Sequence, residues 1–148
     1  MATLIPTLTL VSDDAFAGQA INLSATDNLS ITAPYTDISK MATNDDIGNG
    51  AGIIIADEIT DDYYVYVKNT GVRSDGTDAN ATNDFILLDN ADAEGALKIK
   101  IFPGEFAFFG LAASDGTDGG GVEPGGLKVV KGGSNEIFIE YAYFKKTA

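Results

Sequence analysis

The sequence contains no cysteine, no histidine and no tryptophan. Without cysteine the chain forms no disulfide and offers no thiolate, and without histidine it lacks the commonest general base and metal-binding side chain. The catalytic options that remain are pairs of carboxylates, lysine, or a serine or threonine activated by lysine. Most carboxylates stand in segments rich in aspartate, glycine and asparagine, where turn formation already explains them. We therefore expect no enzymatic activity.

Basic residues are scarce as well: 9 of them stand against 22 acidic residues, which gives a formal net charge of -13. A surface this negative repels the phosphates of nucleic acids and of anionic lipids, so we expect neither a nucleic-acid nor a membrane partner. No apolar run approaches the roughly 20 residues that a membrane-spanning helix requires. With 45% hydrophobic residues, however, a chain of 148 residues has enough apolar surface to build its own core.

Apolar and polar residues alternate with a period of two along most of the chain, and helical periodicity is almost absent. The segments 63–68, 97–102 and 136–144 show the alternation most clearly, and it is typical of strands. Turn-forming residues separate roughly nine to eleven such segments. We therefore predict an all-β fold, an antiparallel β-sandwich or jelly-roll-like domain with long Gly/Asp-rich loops, or else a small barrel. We expect residues 1–148 to form a single domain.

Three local patterns add detail to this prediction. Pro6 interrupts the first alternating segment, so residues 1–12 are expected to be an extended N-terminal arm or an edge strand. The pair Asp27-Asn28 separates two alternating segments, 21–25 and 29–33, and predicts a hairpin between them. The triplet Asn69-Thr70-Gly71 is turn chemistry and predicts the end of the strand that begins at residue 63.

A repeated pentapeptide is the most specific local motif. Ser74-Asp75-Gly76-Thr77-Asp78 recurs at residues 114–118. The oxygen-bearing side chains Asp75, Asp78 and Asp84 suit a Ca²⁺ ion, which takes 6–8 oxygen ligands, although no glutamate closes the loop as it does in an EF-hand. Turn formation explains the same residues and is the favoured interpretation. We therefore expect no cofactor, with calcium at these three residues as the alternative.

Adjacent aromatic residues occur in the strands, as in Phe108-Phe109 and Tyr143-Phe144. Because neighbouring residues of a strand point to opposite faces, such pairs make both faces of a sheet aromatic. A two-layer sandwich with one wet face per sheet does not need this, whereas burial between subunits or beneath covering loops or helices explains it. The predicted interface residues are Leu4, Ile5, Phe108, Phe109, Tyr143 and Phe144.

Four segments resemble small virion structural proteins of marine tailed bacteriophages. They are Ala2-Thr3-Leu4-Ile5-Pro6-Thr7-Leu8-Thr9-Leu10-Val11-Ser12, Tyr64-Val65-Tyr66-Val67-Lys68-Asn69-Thr70-Gly71, Phe102-Pro103-Gly104-Glu105-Phe106-Ala107-Phe108-Phe109 and Glu140-Tyr141-Ala142-Tyr143-Phe144. The resemblance spans most of the chain, but its motifs are structural and include no catalytic residue. The chain departs from the pattern in acidic insertions around 43–50, 74–84 and 114–126.

The resemblance implies a non-enzymatic β-sandwich component located in the virion. The leading hypothesis is a capsid decoration or cementing protein that stabilises the head through contacts with other virion proteins, the major capsid protein above all. We expect it to form a small homo-oligomer such as a trimer. The alternative is a neck, tail or fibre-associated protein, including a receptor- or glycan-binding module. A calcium-dependent β-sandwich binder is a third hypothesis.

Overall fold

The structure is a computed structural model that describes residues 2–16, 19–35, 38–43, 52–55, 61–80, 83–90, 99–111 and 126–147. Within these residues the chain forms strands and no helix, hence no helix long enough to span a membrane. The strands are β1 (Ala2–Leu4), β2 (Thr7–Phe16), β3 (Gln19–Thr26), β4 (Leu29–Tyr35), β5 (Ser39–Ala42), β6 (Ile53–Ile55), β7 (Tyr63–Arg73), β8 (Ile86–Asn90), β9 (Ile99–Ile101), β10 (Phe106–Leu111), β11 (Leu127–Lys131) and β12 (Ile137–Lys146).

The strands pair into two principal sheets, and all the pairings are antiparallel. The large sheet has the order β1-β4-β12-β7-β10, and β5 pairs with β12 on the same side as β4. The small sheet has the order β6-β11-β8-β9. The predicted all-β antiparallel class is thus confirmed, and the arrangement is that of a β-sandwich-like domain.

The core lies where alternate side chains of the two sheets meet. The large sheet contributes Val65 and Val67 of β7 together with Ile137 and Ile139 of β12, and all four are fully buried. The small sheet contributes a matching set: Ile86, Leu88, Ile101, Leu127 and Val129. Each buried aliphatic side chain of this size contributes roughly 1.5–3 kcal/mol, so this alternation is the main source of attraction between the two sheets.

Strands β1 to β4 form one long hairpin. The pairs Ala2↔Ile31, Leu4↔Leu29, Thr7↔Thr26 and Ser12↔Ile21 all share a single register. The chain therefore does not reverse at Asp27-Asn28, and the hairpin predicted between 21–25 and 29–33 is wrong. Instead, β3 continues into β4 across this pair, where the Asp27 amide donates to the Pro6 carbonyl at 3.3 Å and the Asn28 amide donates to Asp27 Oδ1 at 2.8 Å.

The two halves of this hairpin have different surroundings. Strands β1 and β4 belong to the large sheet, whereas β2 and β3 pair with each other and form a two-stranded sheet of their own. We call β2 and β3 together the ribbon. The predicted arm or edge strand at residues 1–12 therefore divides into an edge strand, β1, and the first part of the ribbon.

The Lys-Asn-Thr-Gly segment does not end its strand, contrary to the prediction. Strand β7 continues to Arg73, and the register with β12 shifts between Ile137 and Ile139 to accommodate the extra residues. Gly71 adopts a positive φ of 76°, which a side chain would disfavour. Thr70 Oγ1 donates to the Phe138 carbonyl at 2.7 Å and fastens this bulge to the neighbouring strand.

Asn69 is the buried polar centre of that bulge. Its Nδ2 donates to the carbonyls of Asp84, at 3.0 Å, and Ile101, at 3.3 Å, while its Oδ1 accepts from the Gly71 amide at 3.0 Å. Its backbone pairs with Gly104 and Glu105 in the turn before β10, at 3.0 Å each. One side chain thus joins β7, the end of β9 and the segment that leads into β8.

Several predicted features lie outside the described residues. They are most of the acidic segments 43–50 and 114–126, the second copy of the pentapeptide, and the first two residues of the strand predicted at 97–102. Its remaining residues include β9, and the strand is followed by a turn at Pro103-Gly104, where Gly104 has a φ of 83°.

Candidate interaction surface

The ribbon has one apolar and one mainly polar face, which its register fixes. Leu8 pairs with Ala25, Leu10 with Leu23, and Ser12 with Ile21, so these side chains share one face. The opposite face carries the pairs Thr7↔Thr26, Thr9↔Ser24 and Val11↔Asn22. Across one of these pairs the Thr7 and Thr26 hydroxyls lie 3.2 Å apart and form a hydrogen bond.

The apolar face of the ribbon is exposed. Leu10 is 47% and Leu23 is 48% accessible, and Leu8 is exposed to a similar extent. An isolated two-stranded hairpin is only marginally stable in water, and contiguous exposed apolar surface usually marks a contact site. The ribbon is therefore the clearest candidate contact surface in the described part of the chain.

The outward face of the large sheet is the second apolar surface. Register places Phe144, Tyr64 and Gly110 in one row across β12, β7 and β10, and Ala142, Tyr66 and Phe108 in the next. A third row continues with Glu140, Lys68 and Phe106. We call this surface the aromatic face, defined by Tyr64, Tyr66, Phe106, Phe108 and Phe144.

Aromatic rings of neighbouring strands contact each other on the aromatic face. The ring centroids of Tyr64 and Phe108 lie 6.1 Å apart in a stacked arrangement, and those of Tyr66 and Phe106 lie 6.1 Å apart and tilted. Lys146 Nζ sits 4.8 Å from the Tyr64 ring centroid, a cation–π distance. Even so, Phe106 is 58% accessible, so stacking leaves much of this surface in contact with water.

The pKa of Tyr66 reflects the surroundings of the aromatic face. Burial raises the pKa of the Tyr66 hydroxyl above its ordinary value, and the nearby Glu140 carboxylate raises it further. Its phenol therefore remains neutral well into the alkaline range. A neutral phenol among aromatic rings preserves the apolar character of the face.

A groove joins the two surfaces. It has a volume of about 550 Å³, and its walls come from the base of the ribbon and from strands β7 and β10. Pro6, Leu8 and Ala25 line the ribbon side, while Tyr64 and Phe108 line the other. A smaller groove of about 210 Å³ continues along the aromatic face, lined by Leu4, Ile38, Tyr66, Phe108, Ala142 and Phe144.

The structure separates the six predicted interface residues into two groups. Leu4, Phe108 and Phe144 line the smaller groove together, and Ile5 is exposed beside them in the chain. Phe109 and Tyr143 project from the opposite side of the same strands and pack against the core. Tyr143 meets Tyr63 edge-on there, with ring centroids 5.8 Å apart.

None of the residues on the apolar face of the ribbon is among the six predicted interface residues. A usable signal was present, because the apolar residues Leu8 and Leu10 occupy even positions and Ile21 and Leu23 occupy odd positions. Only the register, with the chain reversal placed after β2, shows that these two sets face the same side.

Asp84, one of the three predicted calcium ligands, is already occupied by protein donors. Arg73 donates to its Oδ2 from Nε at 2.9 Å and from Nη2 at 2.7 Å, and Asn135 Nδ2 donates to its Oδ1 at 2.8 Å. Burial by itself raises the pKa of Asp84, but hydrogen bonds from Asn135, the Asn80 amide and Arg73 outweigh it and hold that pKa below the ordinary value. This carboxylate therefore serves as an internal anchor.

Asp75 and Asp78, in contrast to Asp84, are exposed. Asp75 Oδ1 accepts from the Thr77 hydroxyl at 2.6 Å and the Thr77 amide at 2.9 Å. These bonds are the largest influence on the pKa of Asp75, which lies below its ordinary value. They are those of an Asx turn, in agreement with the turn interpretation. Among the residues that the structure describes, no three acidic side chains gather as a metal-binding group.

Comparison with known proteins adds no relative to these observations: no family model, no curated protein and no solved structure matches the chain.

Proposed function

We propose that the chain is a non-enzymatic structural protein of a tailed-phage virion, a decoration protein that binds the capsid through protein–protein contacts. The proposal joins the resemblance of four segments to virion proteins with the two apolar surfaces described above. Its partners are other virion proteins, the major capsid protein above all.

The exposed ribbon is the observation that carries this proposal. A chain with a net charge of -13 has ample means to keep its surface polar, yet residues 2–12 and 19–26 contain no charged side chain. An uncharged strip with half-exposed leucines has a cost in solubility. That cost is explained if the strip is covered in an assembly.

The hydrogen bonds of three buried polar residues, Thr43, Asn69 and Asp84, support a structural role. Asn69 and Asp84 satisfy backbone and side-chain partners inside the fold, as described above. Thr43 does the same, because its hydroxyl accepts from the Ile137 amide at 2.9 Å and its amide donates to the Ile137 carbonyl at 2.8 Å. These groups hold strand ends together, and each already has its hydrogen-bond partners in the protein.

Binding to phage heads that lack the protein tests the proposal. Purified chain is added to such heads, bound chain is quantified after sedimentation, and DNA release on heating is followed with a dye. We expect saturable binding and release at a higher temperature. A Thr77→Ala variant, changed only in an exposed turn, should behave like the wild type.

The location in the particle decides between this role and its alternative. Gold-labelled antibody should mark the head surface of intact virions. Labelling confined to the neck, tail or fibres, with no binding to heads, would replace the decoration role with that of a tail-associated or receptor-binding protein.

A further inference from the structure

We infer that the ribbon of one copy docks, through its apolar face, onto the aromatic face of a second copy. This deepens the proposed function, on which it rests for the view that these surfaces are covered in an assembly. The occupant that we assign to the aromatic face is thus residues 7–12 and 21–26 of another molecule of the same chain.

The first argument is that the chain carries both halves of the contact. The ribbon offers Leu8, Leu10 and Leu23, and the aromatic face offers exposed rings of Phe106 and Phe108. Both of these sets of side chains are exposed among the described residues of one copy. A single type of contact between copies covers both surfaces at once.

The groove supplies the second argument. The base of the ribbon already faces Tyr64 and Phe108 across about 550 Å³ of open space. The lining is mainly apolar, with Asp27 also on the ribbon side. Apolar side chains on opposite sides of an open groove gain little from each other, since dispersion falls steeply once atoms separate. An apolar ribbon inserted from a second copy fills the space and continues a contact that the fold has begun.

Charge favours a second copy as well. Two chains of net charge -13 repel each other, so they associate best where the repulsion is weakest. Residues 7–12 and 19–26 of the ribbon are uncharged, and the acidic pair Asp13-Asp14 stands beyond them in β2. On the aromatic face Lys68 stands opposite Glu140, and Lys146 lies over the ring of Tyr64. These are the surfaces at which two copies of an acidic chain can approach.

The area of the contact requires reciprocal exchange. The docked segment is residues 7–12 of β2 with its partners in β3, so it is about 20 Å long and its face covers on the order of 200 Å². One docked ribbon would bury about 400 Å² counted on both partners, below the roughly 1,200 Å² of a stable interface. If every copy gives one ribbon and receives one, a closed dimer buries about 800 Å² and a closed trimer about 1,200 Å² over the whole assembly.

Matched substitutions on the two faces of the ribbon test the inference. Leu10→Glu places a charge on the apolar face, and Thr9→Glu places the same charge on the neighbouring residue of the polar face. Sedimentation equilibrium should show a closed oligomer for the wild type and for Thr9→Glu. Leu10→Glu should weaken association at least tenfold while its circular dichroism spectrum stays that of the wild type.

A second variant examines the receiving surface. Phe106→Glu changes a largely exposed ring and should weaken association as Leu10→Glu does. In addition, Leu23→Cys and Phe108→Cys proteins can be mixed and treated with a short bismaleimide, because the chain has no other cysteine. We expect a cross-linked heterodimer, and a much lower yield when Ser24→Cys replaces Leu23→Cys.

The outcomes separate this inference from the proposed function. A wild-type chain that stays monomeric at all concentrations, or an oligomer that Leu10→Glu and Phe106→Glu leave intact, overturns the exchange of ribbons. Binding to heads would then still support the decoration role. Conversely, a ribbon-exchanged oligomer that binds no heads supports the inference and overturns that role.

Discussion

Arg73 donates two hydrogen bonds to a single oxygen of Asp84, from Nε at 2.9 Å and from Nη2 at 2.7 Å. Arg73 is the only arginine of the chain, and the Asp84 side chain that it meets is fully buried. The pair connects the bulged end of β7 to the segment before β8. Arg73 thus pairs with a buried carboxylate of its own chain.

Removing the arginine should destabilise the protein strongly. Arg73→Met leaves the Asp84 carboxylate buried without its cation, which typically costs about 3–5 kcal/mol. Urea denaturation followed by tyrosine fluorescence measures the change in the free energy of unfolding. Asp75→Asn alters an exposed turn on the same strand connection and should change it by less than about 1 kcal/mol. Equal effects of the two substitutions would contradict the anchoring role.

The same pair predicts a pH dependence. Because the pKa of Asp84 is lowered in the folded protein, its ionised form contributes stability above the unfolded value of about 3.9. That contribution is lost as the pH falls through the folded pKa. The difference in unfolding free energy between the wild type and Asp84→Asn should therefore be constant from pH 5 to 7 and shrink below about pH 4. A difference that persists unchanged at pH 2 would refute this assignment.

Asn69 should be far less tolerant of a charge than an exposed asparagine. Asn69→Asp buries a carboxylate and removes the donor that serves the carbonyls of Asp84 and Ile101, with an expected cost of about 3 kcal/mol. Asn22→Asp makes the same change on the exposed polar face of the ribbon and should cost little. Thermal melting of the two variants side by side provides the comparison.

Two glycines with the same backbone conformation should respond differently to alanine. Gly52 and Gly76 have φ values of +83° and +86°, so each alanine incurs a strain of about 1–2 kcal/mol. A Cβ at Gly52 would lie only 2.3 Å from the Val129 carbonyl oxygen, whereas one at Gly76 meets nothing within 4 Å. Gly52→Ala should therefore lower the melting temperature clearly more than Gly76→Ala. Equal shifts would mean that the approach of Gly52 to β11 is unimportant.

The strands themselves were predictable because burial on a sheet imposes a period of two. In β7 the side chains of Tyr63, Val65 and Val67 are buried, and those of Tyr64 and Tyr66 are not, as the alternation predicts. The same alternation predicts that Phe108 and Phe109 lie on opposite faces of β10. What alternation does not contain is which strand pairs with which, since any two strands of matching pattern can pair.

The misplaced hairpin illustrates that limit. Asp27-Asn28 has the chemistry of a turn, and it does form a local hydrogen bond, yet the chain continues forward. The phase of the pattern was the better guide: the apolar residues Ile21, Leu23, Leu29 and Ile31 all occupy odd positions. Because the apolar residues keep the same odd positions on both sides of Asp27-Asn28, the chain can continue in one direction there with its apolar side chains on one face. The turn-forming pair alone indicates only the local conformation.

The role of Asn69 as a buried hydrogen-bonding residue could not be predicted from the sequence. Asn-Thr-Gly is common turn chemistry, and nothing in the sequence indicates that its carbonyl partners, those of Asp84 and Ile101, arrive from distant segments. Such a role depends on tertiary packing around a bulge, which single-sequence patterns do not encode.

The central place of β12 in the large sheet has a consequence for how the chain is made. Strands β4, β5 and β7 are joined only through β12, which comes last among the described strands. Most strands of the large sheet therefore emerge from the ribosome before β12 does. The earlier strands have unpaired edges until β12 is available. Folding of the large sheet therefore has to wait until β12 has been made, and it should be slow because the pairings span most of the chain.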